Sequence, residues 1–198
     1  MEKKPAIGVF GGTFDPPHFG HLEVGKFVAS EVDLEKIIYV VANDPWQKTG
    51  EMEITNASDR YAMVEILLAE EAKLEVSDIE IALGGQSITT RTLQALSMLY
   101  PNHNFELILG YDAALGIQSW ENYDEIPALA GLIVVDRPGL QQRLPDFFES
   151  ATRLEGPNID ISSEEIKKRL ANGLGVDEML PALVENYIKN KLIYGSET

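Results

Sequence analysis

A chain of 198 residues with 32 acidic and 16 basic side chains carries a formal charge of −16, a field that repels polyanions and excludes a surface built to wrap DNA or RNA. Without cysteine it has no disulfides and no thiolate metal sites, and a composition 44% hydrophobic and 24% charged leaves room for a sizeable core. No apolar run is long enough to span a membrane, and Met1 to Pro5 lacks the apolar stretch of a secretion signal, so one cytoplasmic domain over 1–198, free of membrane and nucleic acid, is expected.

In chain order, short strand-like and helix-like segments alternate. Strands are predicted at Ala6–Phe10, Lys36–Val41, Leu74–Val76, Phe105–Leu109, Leu132–Val135 and Ile159–Ile161, most of them nearly all apolar, as strands covered on both faces are. Helices are predicted at Leu22–Ser30, Ser58–Glu71, Thr89–Leu99, Tyr123–Leu129, Glu164–Ala171 and Glu178–Asn190, and in the second of these Tyr61, Val64, Leu67 and Leu68 recur at helical spacing. A small helical part is thus expected from about residue 162. The βαβα order predicts an α/β fold, an open and mainly parallel sheet with helices on both faces and its ligand site at the carboxyl ends of the strands. The connection Ala42–Ala57 is long enough to suggest function, and 137–157, with Pro138, Pro145 and Pro157, reads as a loose excursion.

The most informative stretch is Gly11-Gly-Thr-Phe-Asp-Pro-Pro-His-Phe-Gly-His21, at the junction of the first strand and first helix. A glycine-rich turn entering a helix lets the main chain approach a phosphate, with unpaired N–H groups of the first helical turn expected to face the anion. His18 and His21 can each donate a hydrogen bond there, and a neighbouring phosphate would favour their charged forms. As half of a metal site the pair would need carboxylates to complete it. Further on, Ile161-Ser-Ser-Glu-Glu-Ile-Lys167 has Ser162 and Glu165 spaced as a capping box, which starts a helix beside the basic run Lys167, Lys168 and Arg169.

The first stretch resembles the signature of the nucleotidylyltransferase superfamily, Gly-Gly-(Thr/Ser)-Phe-Asp-Pro-x-His-x-Gly-His, position by position. The second resembles that superfamily's Ile-Ser-Ser-Thr-x-Ile-Arg, with Glu164 and Lys167 in place of Thr and Arg. Gly110-Tyr-Asp112, Ser119-Trp120, Ser87-Ile-Thr89-x-x-Thr92-Leu93 and Arg137-Pro-Gly139 are similar to motifs of its nicotinate-nucleotide adenylyltransferases, and Pro45-Trp46-Gln47-Lys48 resembles actinobacterial members most. Each also has a plain structural reading: Trp120 as core, Asp112 and Thr89 as caps, Arg137 paired with an acid.

The resemblance implies a Rossmann-like fold and the joining of ATP to nicotinate mononucleotide, giving deamido-NAD and pyrophosphate. His18 and His21 are then implied as catalytic. ATP would be bound by Gly11, Gly12, Thr13, Phe14, His18, His21, Lys48, Gly110, Asp112, Arg137, Ser162, Ser163 and Lys167. The mononucleotide would be bound by Gly12, Thr13, Trp46, Lys48, Thr89 and Trp120. Mg²⁺ would arrive with ATP rather than in a protein metal site, and a homo-oligomer is compatible with all of this. The alternatives are transfer to nicotinamide mononucleotide or phosphopantetheine, a cytidylyltransferase, or a non-catalytic nucleotide-binding regulator. Glu164, opposed to a triphosphate, is expected to turn outward.

Overall fold

The computed structural model describes residues 4–45, 54–139 and 144–195. Six parallel strands, β1 (Ala6–Gly12), β2 (Lys36–Val41), β3 (Leu74–Ser77), β4 (Asn104–Gly110), β5 (Gly131–Asp136) and β6 (Thr152–Glu155), form one sheet in the order β3-β2-β1-β4-β5-β6. The order reverses between β1 and β4, the switch point at which open α/β sheets bind ligands. Their pairing runs only from Ala6↔Asn104 to Val9↔Leu107, so beyond Val9 the two strands part and leave a crevice at the carboxyl edge.

Alternation along the strands sends side chains into two cores. Ile37, Tyr39, Val41, Ile108, Ile133 and Val135 lie on one face, beneath α1 (Phe19–Glu31), α2 (Ala57–Leu68), α7 (Ser163–Ala171) and α8 (Ala182–Asn190). Ile38, Val40, Leu107, Leu109, Leu132 and Val134 lie on the other, beneath α4 (Thr89–Leu99), α5 (Tyr111–Leu115) and α6 (Ile126–Leu129). At about 1.5–3 kcal/mol for each fully buried large aliphatic, two-sided burial is what makes these runs strands. The expected helical C-terminal part therefore packs on the sheet, through Ile166, Leu170, Val184 and Ile188. No helix among the described residues is long and apolar enough to cross a membrane.

Three expectations are corrected. The sixth strand is Thr152–Glu155, inside the supposed excursion, and not Ile159–Ile161. The Gly156 N–H closes the pairing onto the Asp136 carbonyl, and Pro157, without an N–H, ends it. The last long helix begins at Ala182 rather than Glu178 because Pro181 cannot sit in a helix interior and stands at its N-cap. Tyr123–Leu129 divides into a 3₁₀ turn, Tyr123–Glu125, and the short α6. Two further helices, α3 (Ile79–Leu83) and α5, have five residues each, too few to show a period.

The loops at the carboxyl edge are held by one buried cation. Arg60 of α2 is 1% exposed, and its guanidinium donates to the carbonyls of Thr13 (2.7 Å), Ala42 (2.6 Å), Asn43 (3.3 Å) and Thr55 (2.8 Å). Replacing it strands those acceptors away from water. Arg60→Met is expected to destabilise the fold by about 3–5 kcal/mol, read as a lowered urea midpoint with unchanged m-value.

Candidate active site

Between β1 and α1, Phe14 takes a left-handed φ of 50° while its ring is buried, edge-on to Phe10 (5.9 Å) and His21 (5.0 Å). A bulky residue in that region is strained by about 1–3 kcal/mol, offset here by burial of the ring. Gly12 is required beneath it, because a Cβ there would lie 2.7 Å from the Phe14 ring. Gly20 likewise makes room for the His18 ring, which would lie 2.9 Å from an added Cβ. Of the α1 first-turn N–H groups expected to face an anion, that of Phe19 donates to the Met179 carbonyl and that of His21 to the His18 carbonyl. The His18 N–H at the cap donates to His21 Nδ1 at 3.3 Å. These main-chain donors are thus satisfied within the protein, which leaves side chains as the groups available to an anion.

Those side chains are the two imidazoles, stacked with ring centroids 3.8 Å apart. Because His21 Nδ1 accepts the His18 N–H, its ring proton resides on Nε2, which makes that nitrogen a donor. His18 is 6% exposed, and burial pushes it down to about 4, so it is neutral at pH 7. Its Nδ1 is buried without a hydrogen-bond partner. The charged form of His18 therefore depends on a neighbouring phosphate, as expected from the sequence.

The two signature segments meet directly. Asp15, 5% exposed, accepts hydrogen bonds from the Lys167 ammonium, from the Tyr194 hydroxyl at 2.5 Å and from the Thr55 N–H at 3.5 Å. Burial alone would raise the Asp15 carboxyl, but these donors outweigh it and hold the group below its ordinary 3.8. Ser163 Oγ donates to the Pro16 carbonyl at 2.8 Å, and Ser162 caps α7 by accepting the Glu165 N–H at 3.1 Å. Lys167 is thus turned onto Asp15. Glu164 does turn outward, its carboxylate pairing with Lys168 at 2.8 Å on the exposed side of α7.

On the other side of Gly11–Thr13, the crevice opens into a cavity of about 160 Å³. Val9, Gly11, Gly12, Thr13, Leu107 and Leu109 form one wall, Ser87, Ile88, Thr89 and Thr92 another, with Trp120 and Glu80 at its sides. Thr89 is the first residue of α4 and Ile88 its cap, so Thr89 is not the capping residue. Trp120 is only half-buried, one part against the core and another facing the cavity. Gly110 caps α5, placing Asp112 in its first turn, where it accepts a 2.6 Å bond from Arg137 Nη2. Both partners are about 70% exposed, a pair that a ligand can displace at little cost. Trp46 and Lys48 lie outside the described residues. Arg60, Tyr194 and Glu80 were not indicated by the sequence, and Asp15 stood in the first signature stretch without a role, since most of their partners lie 12 to 179 residues away.

A cytidylyltransferase-like family model matches residues 9–169. Proteins named "Probable nicotinate-nucleotide adenylyltransferase" are similar along their length: that of Saccharopolyspora erythraea is 38% identical, covering 100% of this chain and 93% of its own, and that of Desulfitobacterium hafniense is 35% identical, covering 95% of each. This chain belongs to the nicotinate-nucleotide adenylyltransferase family. The fold agrees with the solved structure of Plasmodium falciparum nicotinic acid mononucleotide adenylyltransferase complexed with NaAD, at a TM-score of 0.80, 20% identity and 98% coverage of both chains. In this adenylyltransferase the histidine pair, the Asp15 network and the cavity lie along one edge of the sheet.

The buried neutral His18 gives stability a pH dependence of known sign. Its folded value lies below the unfolded one, so the unfolded chain binds the extra proton and stability falls as pH drops from 6.5 towards 4. The wild type is expected to lose about 2–3 kcal/mol from this group between pH 7 and 4.5. His18→Asn should remove that part of the slope in urea unfolding measured at the two pH values.

Proposed function

We propose that the chain transfers the adenylyl group of ATP to nicotinate mononucleotide, giving deamido-NAD and pyrophosphate as a step of NAD biosynthesis. A 5′-phosphate oxygen of the mononucleotide attacks the α-phosphorus of ATP, and the bond from that phosphorus to the β-phosphate bridging oxygen breaks. The nucleophile is already anionic, so no general base is needed. The protein's work is alignment of two polyanions and stabilisation of charge on the leaving group.

The reading rests above all on one juxtaposition: Gly11–Thr13 borders the aromatic cavity on one side and leads into the paired imidazoles on the other. In this reading the pyridine ring occupies the cavity against Trp120, with Thr89 and Thr13 beside it and Trp46 and Lys48 completing the mononucleotide site. The ATP phosphates lie along Gly11, Gly12 and Phe14 to His18 and His21, with His21 Nε2–H nearest the transferring phosphorus. Gly110, Asp112 and Arg137 hold the ribose and adenine end, where the Asp112 carboxylate would exchange Arg137 for ribose hydroxyls. Ser162, Ser163 and Lys167 border the triphosphate, and Lys167 reaches it by leaving Asp15. Lys48 adds a further cation.

Mg²⁺ would enter on the phosphate oxygens of ATP and neutralise charge on the departing pyrophosphate. No group of three or more His, Cys, Asp or Glu among the described residues could hold an ion, so the ion would depend on the phosphates of ATP rather than on a protein cage. The reaction is assigned to the cytoplasm, which supplies ATP, and to one folded unit over 1–198.

Purified protein incubated with ATP and nicotinate mononucleotide should release pyrophosphate and deamido-NAD in equal amounts, with a higher kcat/KM than for the amide mononucleotide. Preference for the amide, or ATP binding without pyrophosphate release, would overturn the assignment. His21→Ala should lower kcat by roughly two to three orders of magnitude while the ATP KM changes far less, as for loss of a donor to developing charge.

A further inference from the structure

We infer that Glu80 is a charge-complementing residue of the substrate cavity, its carboxylate serving as counter-ion to the cationic pyridinium ring. The inference rests on the mononucleotide reading above and goes beyond it, because neither signature segment contains Glu80. Its backbone lies in the first turn of α3, just past the carboxyl end of β3, and its side chain reaches the cavity wall. Oε1 accepts the Thr92 hydroxyl at 2.6 Å, and Thr92, 4% exposed, lines the same cavity. Oε2 is sealed from solvent and has no hydrogen-bond partner.

Among the described residues no cation lies within ion-pair distance of this carboxylate: Arg60, the buried cation that feels its charge, is committed to four backbone carbonyls. Arg91, on the facing helix, is committed to the carbonyls of Gly84 (2.9 Å) and Leu83 (3.0 Å). The other acid at the cavity, Glu121, is exposed, so water screens it. A carboxylate oxygen taken from water without a partner is unfavourable unless something offsets it, and the cavity that Glu80 lines is where an offsetting charge would fit.

The chemistry of the ligand supplies that group. A pyridine mononucleotide carries a fixed positive charge on a ring nitrogen bonded to ribose. That nitrogen has no proton to donate, so it is recognised by charge and by an aromatic face. Glu80 provides the charge and Trp120 the face. The ring carboxylate, repelled by Glu80, is directed to the start of α4, where the first helical N–H groups lack intrahelical acceptors. The cavity is thus dipolar, matching a zwitterionic ring. Glu80 recognises the cation common to acid and amide, and the α4 N-terminus separates the two.

Glu80→Gln keeps an acceptor for Thr92 and removes the charge. It should raise the nicotinate mononucleotide KM roughly tenfold, leave the ATP KM unchanged and alter kcat by less than about threefold. Calorimetric titration with the same mononucleotide gives the parallel binding measurement, which remains valid if turnover itself is absent and the functional reading fails. The 1,4-dihydro form of the mononucleotide, whose ring is uncharged, should bind wild type and Glu80→Gln equally. Thr92→Val, which leaves Oε1 unanchored, should weaken the charged mononucleotide in the same direction by a smaller factor. Equal weakening of charged and uncharged forms would make Glu80 a matter of cavity shape, and loss confined to the amide would make it a carboxamide acceptor. Either result, or unchanged binding of the charged form, overturns the inference.

Discussion

The arrangement of this protein's functional edge depends on a guanidinium with nowhere to go but backbone carbonyls. Loops at the carboxyl end of a parallel sheet present many main-chain oxygens that neither pair in the sheet nor all reach water. Arg60 gathers four of them, from the signature turn, the end of β2 and the segment before α2. Burial pulls its pKa down while Asp15 opposes that pull, and a guanidinium remains charged throughout. No flexible lysine could span these acceptors, because only a planar fork with five N–H donors matches them. Thr13 is held from behind by this cation, so its other side is free to form cavity wall.

A second buried network sets the other half of the turn. Asp15 joins Lys167 of α7 and Tyr194 of the C-terminal segment, whose phenol burial beside Asp15 pushes it up in pKa. Two segments about 150 residues apart in sequence thereby become one surface, with His18 and His21 between them. The substitution of lysine for the arginine usual in the second signature fits this geometry. A point charge on a flexible stem can pair with Asp15 in the free protein and exchange to a phosphate, whereas a bidentate fork on the same carboxylate would leave more slowly. Glu164, which looked opposed to a polyanion, lies on the far side of its helix and is neutralised by Lys168.

Much of this was legible in the sequence because its physical causes are local. Lys36–Val41 and Thr89–Leu99 were bounded correctly from apolar runs and periodicity, and the Ser162 cap announced α7. The Gly-Gly turn into α1 pointed to the end of the first strand, where the crevice and the cavity lie. What escaped has non-local causes. Thr152–Glu155 is a polar edge strand in which only Leu154 is even partly buried, so its pattern resembles loop. Arg60 sits within a helical pattern as one more charged residue, and only the tertiary fold buries it. The neutral state of His18 follows from its burial, and the occupied Phe19 N–H from the Met179 carbonyl, neither of which a motif announces. Glu80 and Thr92 face one another across two helices that pack side by side on one face of the sheet.

In the proposed reaction one continuous edge holds the pyridine ring in the β1/β4 crevice and passes the phosphates to the histidine pair. A crystal structure of the complex with deamido-NAD tests it most directly. The ring should lie against Trp120 between Thr89 and Glu80, the bridging phosphates within hydrogen-bond reach of His21 Nε2, and the ribose of the adenosine on Asp112 with Arg137 displaced. A ring outside the cavity, or phosphates bound away from both histidines, would contradict it.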